Sequence, residues 1–337
     1  MNDRLVKHEL LTPYLRGETF ADQVHALLLQ QNDAWGLARE GYRALESVKT
    51  KTFLFDGFVV KVQHNPGRLV STSANTDPHS IRERPCFLCR QNLPPEQKGI
   101  LYRDAYIILV NPFPIFNEHF TIVDTEHRPQ RIAGSFGTLL DLAADLGSHY
   151  VALYNGPRAG ASAPDHRHFQ VGDRAFIPID FDYAGVMERS SRALHTSADL
   201  TVRVVGGYLR RLIGLESGQK EVLKEAFERV YTRWHAWSGD ADEPMMNILV
   251  FLDPAGWRVI LVPRSKHRSS HYYREGDKRV LLSPGAVDLG GTCTIPARED
   301  FERITRNDIA EIFEEVCYSA ARFDEFTALV GEALRGL

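Results

Sequence analysis

The sequence feature that most constrains the fold is the stretch Asn155–Gln170, which reads NGPRAGASAPDHRHFQ. His166, His168 and Gln170 follow one another at intervals of two residues. In an extended strand, these three side chains point to the same face. The glycine- and alanine-rich run before them lets a ligand approach the backbone closely, as phosphate-binding loops require. Two surface histidines on a polar strand would explain a His-x-His pair alone, but the loop and Gln170 favour phosphorus chemistry with a histidine nucleophile.

The composition indicates a globular protein with a large buried core. The chain has 337 residues, of which 43% are hydrophobic and 25% are charged, so one large domain or two packed domains would fit. The net charge of −4 gives no reason to expect general affinity for nucleic acids or membranes. The N-terminus has no apolar signal region, and no apolar run approaches membrane-spanning length. We therefore expect a cytoplasmic location.

Hydrophobic periodicity predicts helices and strands along the whole chain, which indicates an α+β fold. The first half is expected to contain a helix over 20–48, a hairpin over 52–63 turning at Asp56-Gly57, strands over 106–115 and 120–123, a helix over 136–146 and a strand over 150–154. The second half is expected to contain a helix over 217–237, a hairpin of 246–253 and 257–267, and a helix after a capping box at Thr305–Asp308. Residues 172–200 and 268–280 show no clear element, and mobility near the site is expected there.

A Cys-x-x-Cys pair, Cys86 and Cys89, lies in a loop with prolines on both sides. Two thiolates at this spacing can bind one metal ion, and Zn²⁺ prefers four ligands in a tetrahedron. A redox pair is the alternative, but it would need a thioredoxin-like βαβ context, which the neighbouring sequence does not show. Four cysteines in the chain are too few for a disulfide framework. The remaining ligands should be histidines, and His119 and His127 flank the strand predicted over 120–123.

The segments Asn155–Ser162 and Asp165–Gln170 together resemble the transferase branch of the histidine-triad superfamily. That branch includes diadenosine tetraphosphate (Ap4A) phosphorylases, galactose-1-phosphate uridylyltransferases and nucleotide-sugar phosphorylases. The resemblance implies that His168, next to His166, attacks the α-phosphate and holds the nucleotide as a covalent nucleotidyl-histidine. It also implies that Gln170 donates hydrogen bonds to the phosphate oxygens. The further phosphate contacts that the loop would supply are Asn155, Gly160 and Ser162.

The resemblance also implies a structural zinc ion, with the ligands Cys86, Cys89, His127 and His166. His166 would then be fixed by the metal, while His168 stays free to attack. His119 is left open, either as the alternative third ligand or as a strand-end histidine that faces solvent. Whether Mg²⁺ assists as a second cofactor is also left open.

Three residues outside the His-x-His segment are expected to contact the substrate. Asn111 and Phe113 follow the strand predicted from Tyr106, in a region that borders the base and ribose in the superfamily. Arg68 follows Pro66-Gly67 and could bind a phosphate with two hydrogen bonds, although an exposed loop arginine is the commoner case.

The second half of the sequence repeats the pattern of the first half. This repetition resembles the duplicated modules of the uridylyltransferases. The strand at 257–263 and the following Pro-Arg-Ser-Lys-His match the strand at 120–123 that leads to His127. Residues 282–291 stand where the first half has its glycine loop, but no His-x-His follows them. We therefore expect two tandem histidine-triad-like modules, each an antiparallel sheet flanked by helices, with the second module degenerate.

The expected domain boundaries follow from this repeated pattern. The first domain, over 1–200, would hold a helical N-terminal extension and the active site, and the second would cover 201–337. The repeated pattern also suggests three cationic groups that face the acceptor or leaving phosphate. The alternative is that they form a solvated charged turn. These groups are Arg264, Lys266 and His267.

Gln170 favours transfer over hydrolysis. A third histidine at this position, as in the hydrolase branch, can titrate near neutral pH, whereas a glutamine can only donate and accept hydrogen bonds. We expect a nucleotidyltransferase with a two-step mechanism, most consistent with phosphorolysis of an Ap4A-like dinucleoside polyphosphate. A nucleotide-sugar phosphorylase or hexose-1-phosphate uridylyltransferase is the alternative, since Cys-x-x-Cys is typical of those enzymes. A hydrolase and a non-catalytic nucleotide-binding protein agree less well with the intact motif.

The expected partners follow from this chemistry. They are a nucleotide or nucleotide-sugar donor and a phosphate or sugar 1-phosphate acceptor, with neither nucleic acid nor membrane. The resemblance also allows a homodimer.

Overall fold

The computed structural model of the protein describes residues 4–73 and 77–337. The strands in these ranges are β1 (Lys49–Phe55), β2 (Phe58–His64), β3 (Gly99–Tyr102), β4 (Tyr106–Val110), β5 (His119–Asp124), β6 (Tyr150–Asn155), β7 (His168–Asp173), β8 (Ser191–Thr196), β9 (Thr201–Val205), β10 (Leu212–Ser217), β11 (Met246–Asp253), β12 (Gly256–Pro263) and β13 (Thr292–Ile295).

The α-helices are α1 (His8–Leu11), α2 (Phe20–Ala34), α3 (Gly36–Leu45), α4 (Leu69–Thr72), α5 (Pro78–Glu83), α6 (Phe136–Leu146), α7 (Pro178–Ser190), α8 (Lys220–Ser238), α9 (Ser270–Tyr273), α10 (Ala286–Leu289), α11 (Arg298–Arg303), α12 (Arg306–Val316) and α13 (Ala320–Ala333). Short 3₁₀ helices cover Thr12–Tyr14, Pro66–Arg68, Arg90–Asn92, Arg174–Phe176 and Gly276–Lys278. None of these helices combines the length and the apolar character that crossing a lipid bilayer requires.

Ten of the described strands form one antiparallel sheet, in the order β3-β4-β5-β7-β6-β11-β12-β10-β9-β8. In its first half the order is 3-4-5-7-6, and α6 lies between β5 and β6 in the chain. In its second half the order is 8-9-10-12-11, and α8 lies between β10 and β11. The two halves therefore share one strand order and one helix position. They meet where β6 pairs with β11, with Asn155 opposite Asn247.

Both faces of the ten-stranded sheet are covered. The helices α2, α6, α8 and α13 pack against one face, and a three-stranded sheet with α7, α10 and α12 packs against the other. Alternate residues of β6 belong to the two cores: Val151 and Leu153 face the small sheet, whereas Ala152 and Tyr154 face the helices. This double burial explains why all six residues of β6 are buried, as in a strand covered by two layers.

The small sheet joins strands near the two ends of the chain, β1 and β2 with β13. β1 and β2 form the predicted hairpin, and Phe55 pairs with Phe58 across Asp56-Gly57. Gly57 has a φ of +80°, which glycine adopts without a steric penalty. β13 pairs parallel with β2 on the other side. This pairing brings the segment before β13 against the loop that follows β6.

Three predicted elements differ from the structure. The helix expected over 20–48 is two helices, α2 and α3, because Trp35 between them is extended, with φ −123° and ψ 107°. Residues 172–200, expected to have no clear element, contain α7 and β8, and 268–280 contain α9 and a 3₁₀ turn. Within the described chain, Ile177 gives α7 no side-chain cap, so the sequence carries no start signal other than Pro178.

The strand orders of the two halves correspond in a different register from the predicted one. In the sheet order, β12 takes the place of β7, whereas the sequence comparison matched it with β5. The turn Pro254-Ala255 joins β11 to β12, where the first half has its long glycine loop between β6 and β7. Residues 282–291 follow β12 and do not replace that loop. The hairpin of β8 and β9 also spans residue 200, where a domain boundary was expected.

Candidate active site

His168 begins β7 and is held in one tautomer. Its Nδ1 lies 2.8 Å from the carbonyl oxygen of His166. A carbonyl can only accept, so Nδ1 carries the hydrogen and Nε2 keeps its lone pair. Burial lowers the pKa of His168 to about 4, although the hydrogen bond to the His166 carbonyl opposes the shift. The ring is therefore neutral at pH 7, which a nucleophile requires.

Gln130 fixes the backbone of His168. Its Oε1 accepts from the His168 N–H at 2.8 Å, and its Nε2 donates to the carbonyl oxygens of His168 and Asn155, both at 2.9 Å. The side chain is 1% exposed. Sequence reasoning missed Gln130, since it lies in an irregular segment without a recognisable pattern. It ties the nucleophile to the start of the glycine loop.

Gln170 is oriented by His119. The Ile115 N–H donates to His119 Nδ1 at 3.3 Å, so His119 Nε2 carries the hydrogen and donates to Gln170 Oε1 at 3.2 Å. The amide nitrogen of Gln170 is thereby left as a donor, and it has no protein partner in the described ranges. Burial lowers the pKa of His119 to about 3, so this arrangement persists at neutral pH. Of the two roles left open for His119, the strand-end histidine that faces solvent does not agree with the structure, because its side chain is fully buried.

An apolar cavity of about 310 Å³ opens beside His168 and Gln170. Both residues predicted to contact the nucleoside, Asn111 and Phe113, line it. The other apolar walls come from α3, the Cys-x-x-Cys loop and β4. They include Trp35, Leu37, Phe87, Leu88, Leu93, Leu109 and Pro112. A mainly apolar cavity with a few polar groups is typical of a small-molecule site.

A smaller polar cavity of about 60 Å³ adjoins the apolar one. Arg68, Ser162 and Gln170 line both cavities, so the two meet beside the nucleophile. Burial lowers the pKa of Arg68 to about 10, which leaves it charged at neutral pH. The further polar lining residues are Asn155, His267, Arg268, Ser283, Asp288 and Thr294. Guanidinium groups beside an apolar cavity suit a ligand with an apolar part and a phosphate part.

The glycine loop is held against the second half of the chain. Gly160 has a φ of +98°, and a Cβ there would lie 2.9 Å from the Gly285 Cα. Asn155 Oδ1 accepts from Asn247 Nδ2 and from the Ala286 N–H, both at 2.7 Å. The Asn155 amide nitrogen has no partner among the described residues, and the side chain lines the polar cavity. The second half thus forms one wall of a site whose nucleophile comes from the first.

Two of the three groups predicted after β12 do not reach the cavity. Arg264 is buried and gives its hydrogen bonds to nearby loops, so it orders those loops and does not face a phosphate. Its acceptors are the carbonyls of Val316, Pro284, Lys266 and His267, and Asn247 Oδ1. Lys266 pairs with Glu315 at 2.8 Å on the surface. His267 lines the cavity, but burial, with Arg268 and Arg264, lowers its pKa to about 4, so it is neutral and not cationic.

The four predicted metal ligands come together. The ligand atoms of Cys86, Cys89, His127 and His166 all lie within 4.8 Å of one another. Cys86 Sγ is 3.3 Å from His166 Nδ1, and Cys89 Sγ is 3.1 Å from His127 Nδ1. Ligand atoms around a tetrahedral zinc ion stand roughly 3.5 Å apart, given bonds of about 2.0–2.3 Å. The cluster therefore has the composition and spacing of a zinc site, and His127 belongs to it while His119 does not.

The metal cluster and the apolar cavity share one loop. His166 Nε2 donates to the Asp124 carbonyl at 2.9 Å, which turns Nδ1 toward the cysteines. Phe87 and Leu88, the two residues between the cysteines, line the apolar cavity. Phe87 is 47% exposed at its rim. An ion that fixed the loop would therefore also fix a wall of the cavity.

Two family models match the chain, one in each half. A domain of unknown function (DUF4922) matches residues 27–173, and a GDPGP1-like C-terminal domain matches residues 197–336. The first match contains His168 and Gln170. The residues between the matches, 174–196, include α7 and β8.

Among curated proteins, the chain is similar to galactose-1-phosphate uridylyltransferases. It is 30% identical over 167 residues to that of Streptococcus mutans serotype c, a match covering 49% of this chain and 30% of that protein. It is 28% identical over 155 residues to that of Enterococcus faecalis, covering 45% of this chain and 28% of that protein. The chain thus spans about a third of the length of these relatives.

Among solved structures, the fold is similar to that of yeast Ap4A phosphorylase Apa2. The TM-score is 0.54 at 18% identity, and the match covers 84% of this chain and 94% of that one. The same enzyme in complex with Ap4A gives a TM-score of 0.54 at 16% identity, covering 85% of this chain and 98% of that one. At these identities, the likeness concerns the fold.

The antiparallel sheet, its flanking helices and the His-x-His-x-Gln strand beside a glycine loop agree with the resemblance to the histidine-triad superfamily. The similarities in sequence and in fold place the chain on the branch that holds uridylyltransferases and Ap4A phosphorylases. The resemblance expected from Asn155–Gln170 is confirmed. Both groups of named relatives are nucleotidyl-transferring enzymes.

Proposed function

We propose that the protein is a nucleotidyltransferase that forms a covalent nucleotidyl-histidine on His168. The observation that carries this proposal is the state of the His168 ring. The ring is neutral, its Nδ1 donates to a carbonyl, and it lines the apolar cavity. Its Nε2 has no partner in the described ranges. A general base is not required, because the lone pair of Nε2 is already available.

In the first step, His168 Nε2 attacks the α-phosphorus of the donor. The N–P bond forms, the bond from phosphorus to the bridging oxygen breaks, and the leaving phosphate takes the electron pair. The Gln170 amide and Arg68 donate hydrogen bonds to the phosphoryl oxygens as charge builds up on them. The His166 carbonyl stabilises the positive ring, because it accepts from Nδ1 throughout. Gln170 has no proton to exchange, which supports transfer over hydrolysis.

In the second step, an acceptor oxygen attacks the same phosphorus from the polar cavity. The new P–O bond forms, the P–N bond breaks, and the electron pair returns to His168 Nε2. Since Arg68, Ser162 and Gln170 line both cavities, one set of donors serves both steps. The apolar cavity, with Asn111 and Phe113, would hold the nucleoside.

For the substrate, we propose phosphorolysis of an Ap4A-like dinucleoside polyphosphate. The residues Asn155-Gly-Pro and Asp165-His-Arg-His support it, together with a fold similar to that of an Ap4A phosphorylase. A nucleotide-sugar phosphorylase or hexose-1-phosphate uridylyltransferase is the second candidate. It is favoured by the Cys2His2 cluster and by the sequence relatives, which are named as galactose-1-phosphate uridylyltransferases.

We further propose that the Cys2His2 cluster binds a structural zinc ion. Cys86, Cys89, His127 and His166 would hold it, and its role would be to order the loop beside the nucleophile. It is the one group of three or more potential metal-ligating residues found among residues 4–73 and 77–337, so a bound Mg²⁺ gains no support.

The shared strand order supports a duplication of one five-stranded module, in which the second copy keeps the sheet and lacks the nucleophile loop. The domains at 1–200 and 201–337, a homodimer and a cytoplasmic location stay predictions.

The test is intact-mass spectrometry after brief incubation with Ap4A, ADP-glucose, UDP-glucose or GDP-sugars. A mass gain of one nucleoside monophosphate, absent in His168→Ala, is expected and would identify the base. Turnover without any acceptor would indicate a hydrolase. Tight binding of a donor without an adduct or turnover would indicate a binding protein and would refute the proposal.

A further inference from the structure

Asp288 is a carboxylate in a cavity that otherwise suits an anion. It lines the polar cavity with Arg68, Arg268 and the Asn155 amide. An ionised carboxylate repels a fully ionised oxyanion and has no hydrogen to donate to it. It does accept a hydrogen bond from an oxyanion that carries a proton. The position of Asp288 therefore bears on which anion the cavity admits.

The backbone holds the Asp288 carboxylate in place. Its Oδ2 accepts from the Gly285 N–H at 2.8 Å, and its Oδ1 accepts from the Thr294 N–H at 3.0 Å. Each oxygen keeps a second lone pair for a ligand. The side chain is 8% exposed, and Gly285 is the residue that faces Gly160 of the phosphate loop. Burial raises the pKa of Asp288 to about 6, although both N–H groups and Arg68 oppose the rise, so it is mainly ionised at pH 7.5.

We propose that Asp288 makes the polar cavity selective for inorganic phosphate, which retains a proton at neutral pH, over sulfate, which does not. This inference rests on the proposed function, in which the cavity receives the acceptor. The phosphate O–H donates to an Asp288 oxygen, and its other oxygens accept from the Asn155 amide, Arg68 and the loop. An ionised phosphate oxygen then forms the new P–O bond, so no proton has to move to Asp288.

The test is calorimetric titration of the full chain, without donor, with sodium phosphate and with sodium sulfate at pH 7.5. We expect phosphate to bind at least about tenfold more tightly, the effect of one hydrogen bond to a charged group. Asp288→Asn should abolish most of this ratio, because its neutral side chain no longer repels a fully ionised oxyanion. Asp300→Asn is the matched control, since Asp300 is also buried and accepts from the Leu281 N–H at 2.7 Å, but does not line the cavity.

Three outcomes would overturn the role of Asp288. They are equal binding of both anions by the wild type, binding of neither, and an unchanged ratio in a folded Asp288→Asn. An unchanged ratio with both affinities lowered would mark Asp288 as a residue that only orders its loop. Because no donor is present, the result is independent of the adduct experiment. A selective cavity in a protein that forms no nucleotidyl adduct would refute the proposed function and not the anion site.

Discussion

At the scale of single residues, two hydrogen bonds from the backbone decide the chemistry of the site. The carbonyl of His166 fixes the proton of His168 on Nδ1, and the N–H of Ile115 fixes the proton of His119 on Nε2. Through His119, the second bond orients the Gln170 amide. Its oxygen accepts from His119, and its nitrogen is left to donate. Hydrogen bonds to uncharged groups thus order two neutral histidines and one amide, while Arg68 supplies a positive charge that lines both cavities.

His119→Phe is expected to slow formation of the nucleotidyl adduct. Phenylalanine keeps the edge contact of the ring with Phe116, 5.1 Å between centroids, but it loses the donor that orients Gln170. The loss of one hydrogen bond at the transition state corresponds to roughly a tenfold change in rate. The measurement is the single-turnover rate of adduct formation at saturating donor.

Gln170→Ala and the double variant provide the control for this prediction. If His119 acts only through Gln170, the double variant should be no slower than Gln170→Ala. Additive losses would show that His119 contributes in another way.

Gln130→Leu is expected to lower both stability and activity. The substitution leaves the His168 N–H and one or more buried carbonyls without a partner, at about 1–3 kcal/mol for each unsatisfied group. Urea denaturation and the adduct rate would measure the two effects. An unchanged unfolding midpoint would show that ordered water replaces the side chain.

At the scale of elements, the glycine loop and the metal loop both line the cavities of the candidate site. The glycine loop packs on Gly285 from the second half, while the Cys-x-x-Cys loop supplies part of the apolar wall. Neither loop has a sheet of its own to fix it. Their geometry depends on contacts with distant parts of the chain.

Gly160→Ala is expected to destabilise the protein and to weaken phosphate binding. The added Cβ would need a φ of +98° and would lie 2.9 Å from the Gly285 Cα. Gly134→Ala is the matched control, because it has a φ of +71° but open space around the Cβ. We expect Gly160→Ala to cost about 1–3 kcal/mol more than the control, as overpacking does. Equal losses in thermal or urea denaturation would mean that the loop can move away from Gly285.

Cys89→Ser is expected to remove zinc and to raise the KM for the donor. Loss of the ion frees Phe87 and Leu88, which line the apolar cavity, while His168 keeps its own backbone contacts. Metal analysis and donor kinetics would be measured together. Cys317→Ser, at a buried cysteine outside the cluster, is the control and should keep both zinc content and KM. A full zinc content in Cys89→Ser would contradict the assigned ligands.

The sequence predicted the elements that are determined by neighbouring residues. It missed those that depend on contacts between residues far apart in the chain. The hairpin at Asp56-Gly57, α6 and the capping box of α12 depend on nearby residues, and they agree with the structure. Trp35 interrupts a predicted helix in an extended conformation, and its buried side chain lines the apolar cavity. No local pattern in the sequence indicates this position.

The same distinction separates the parts of the site. His168 and Gln170 stand in one short motif, so their grouping could be predicted. The four metal ligands come from three separate segments, and their grouping was expected only from the resemblance to the superfamily. Gln130, His119 and Asp288 act through contacts between residues far apart in the sequence, and they could not. Arg264 was misjudged for a related reason, since a guanidinium near a predicted site looks the same whether it binds phosphate or buried carbonyls.

At the scale of the whole molecule, one buried acid near the junction of the two halves makes stability depend on pH. Glu243 precedes β11 and accepts from the Tyr154 hydroxyl at 2.5 Å and from the Ile132 N–H at 2.8 Å. Burial raises its pKa from 4.5 to about 7, although these hydrogen bonds oppose the rise. The folded state therefore binds the proton more tightly than the unfolded state. Its contribution to stability is fully present below pH 4.5 and is lost as the pH rises through 7.

Glu243→Gln is expected to flatten the pH dependence of stability. Between pH 5 and pH 8, the wild type should lose up to about 3 kcal/mol more than the variant, since glutamine does not titrate. Urea denaturation at both pH values gives the difference. The pKa of Asp288 is also raised, so Asp288 contributes to the pH dependence of stability in the same direction. This contribution is equal in both proteins and cancels in their difference. Glu325→Gln, on the surface, should retain the wild-type slope, and an equally steep slope in Glu243→Gln would contradict the assignment.

The parallel pairing of β13 with β2 has a consequence for how the molecule is made. It joins residues about 230 positions apart, Thr292 and Lys61. A ribosome that adds about 5–20 residues per second delivers the second partner roughly 10–50 seconds after the first. Contacts of such long separation also form late during folding. Under the proposed mechanism, a newly made chain therefore contains His168 well before the second half has completed the polar cavity, and the step that discharges the nucleotide becomes possible last.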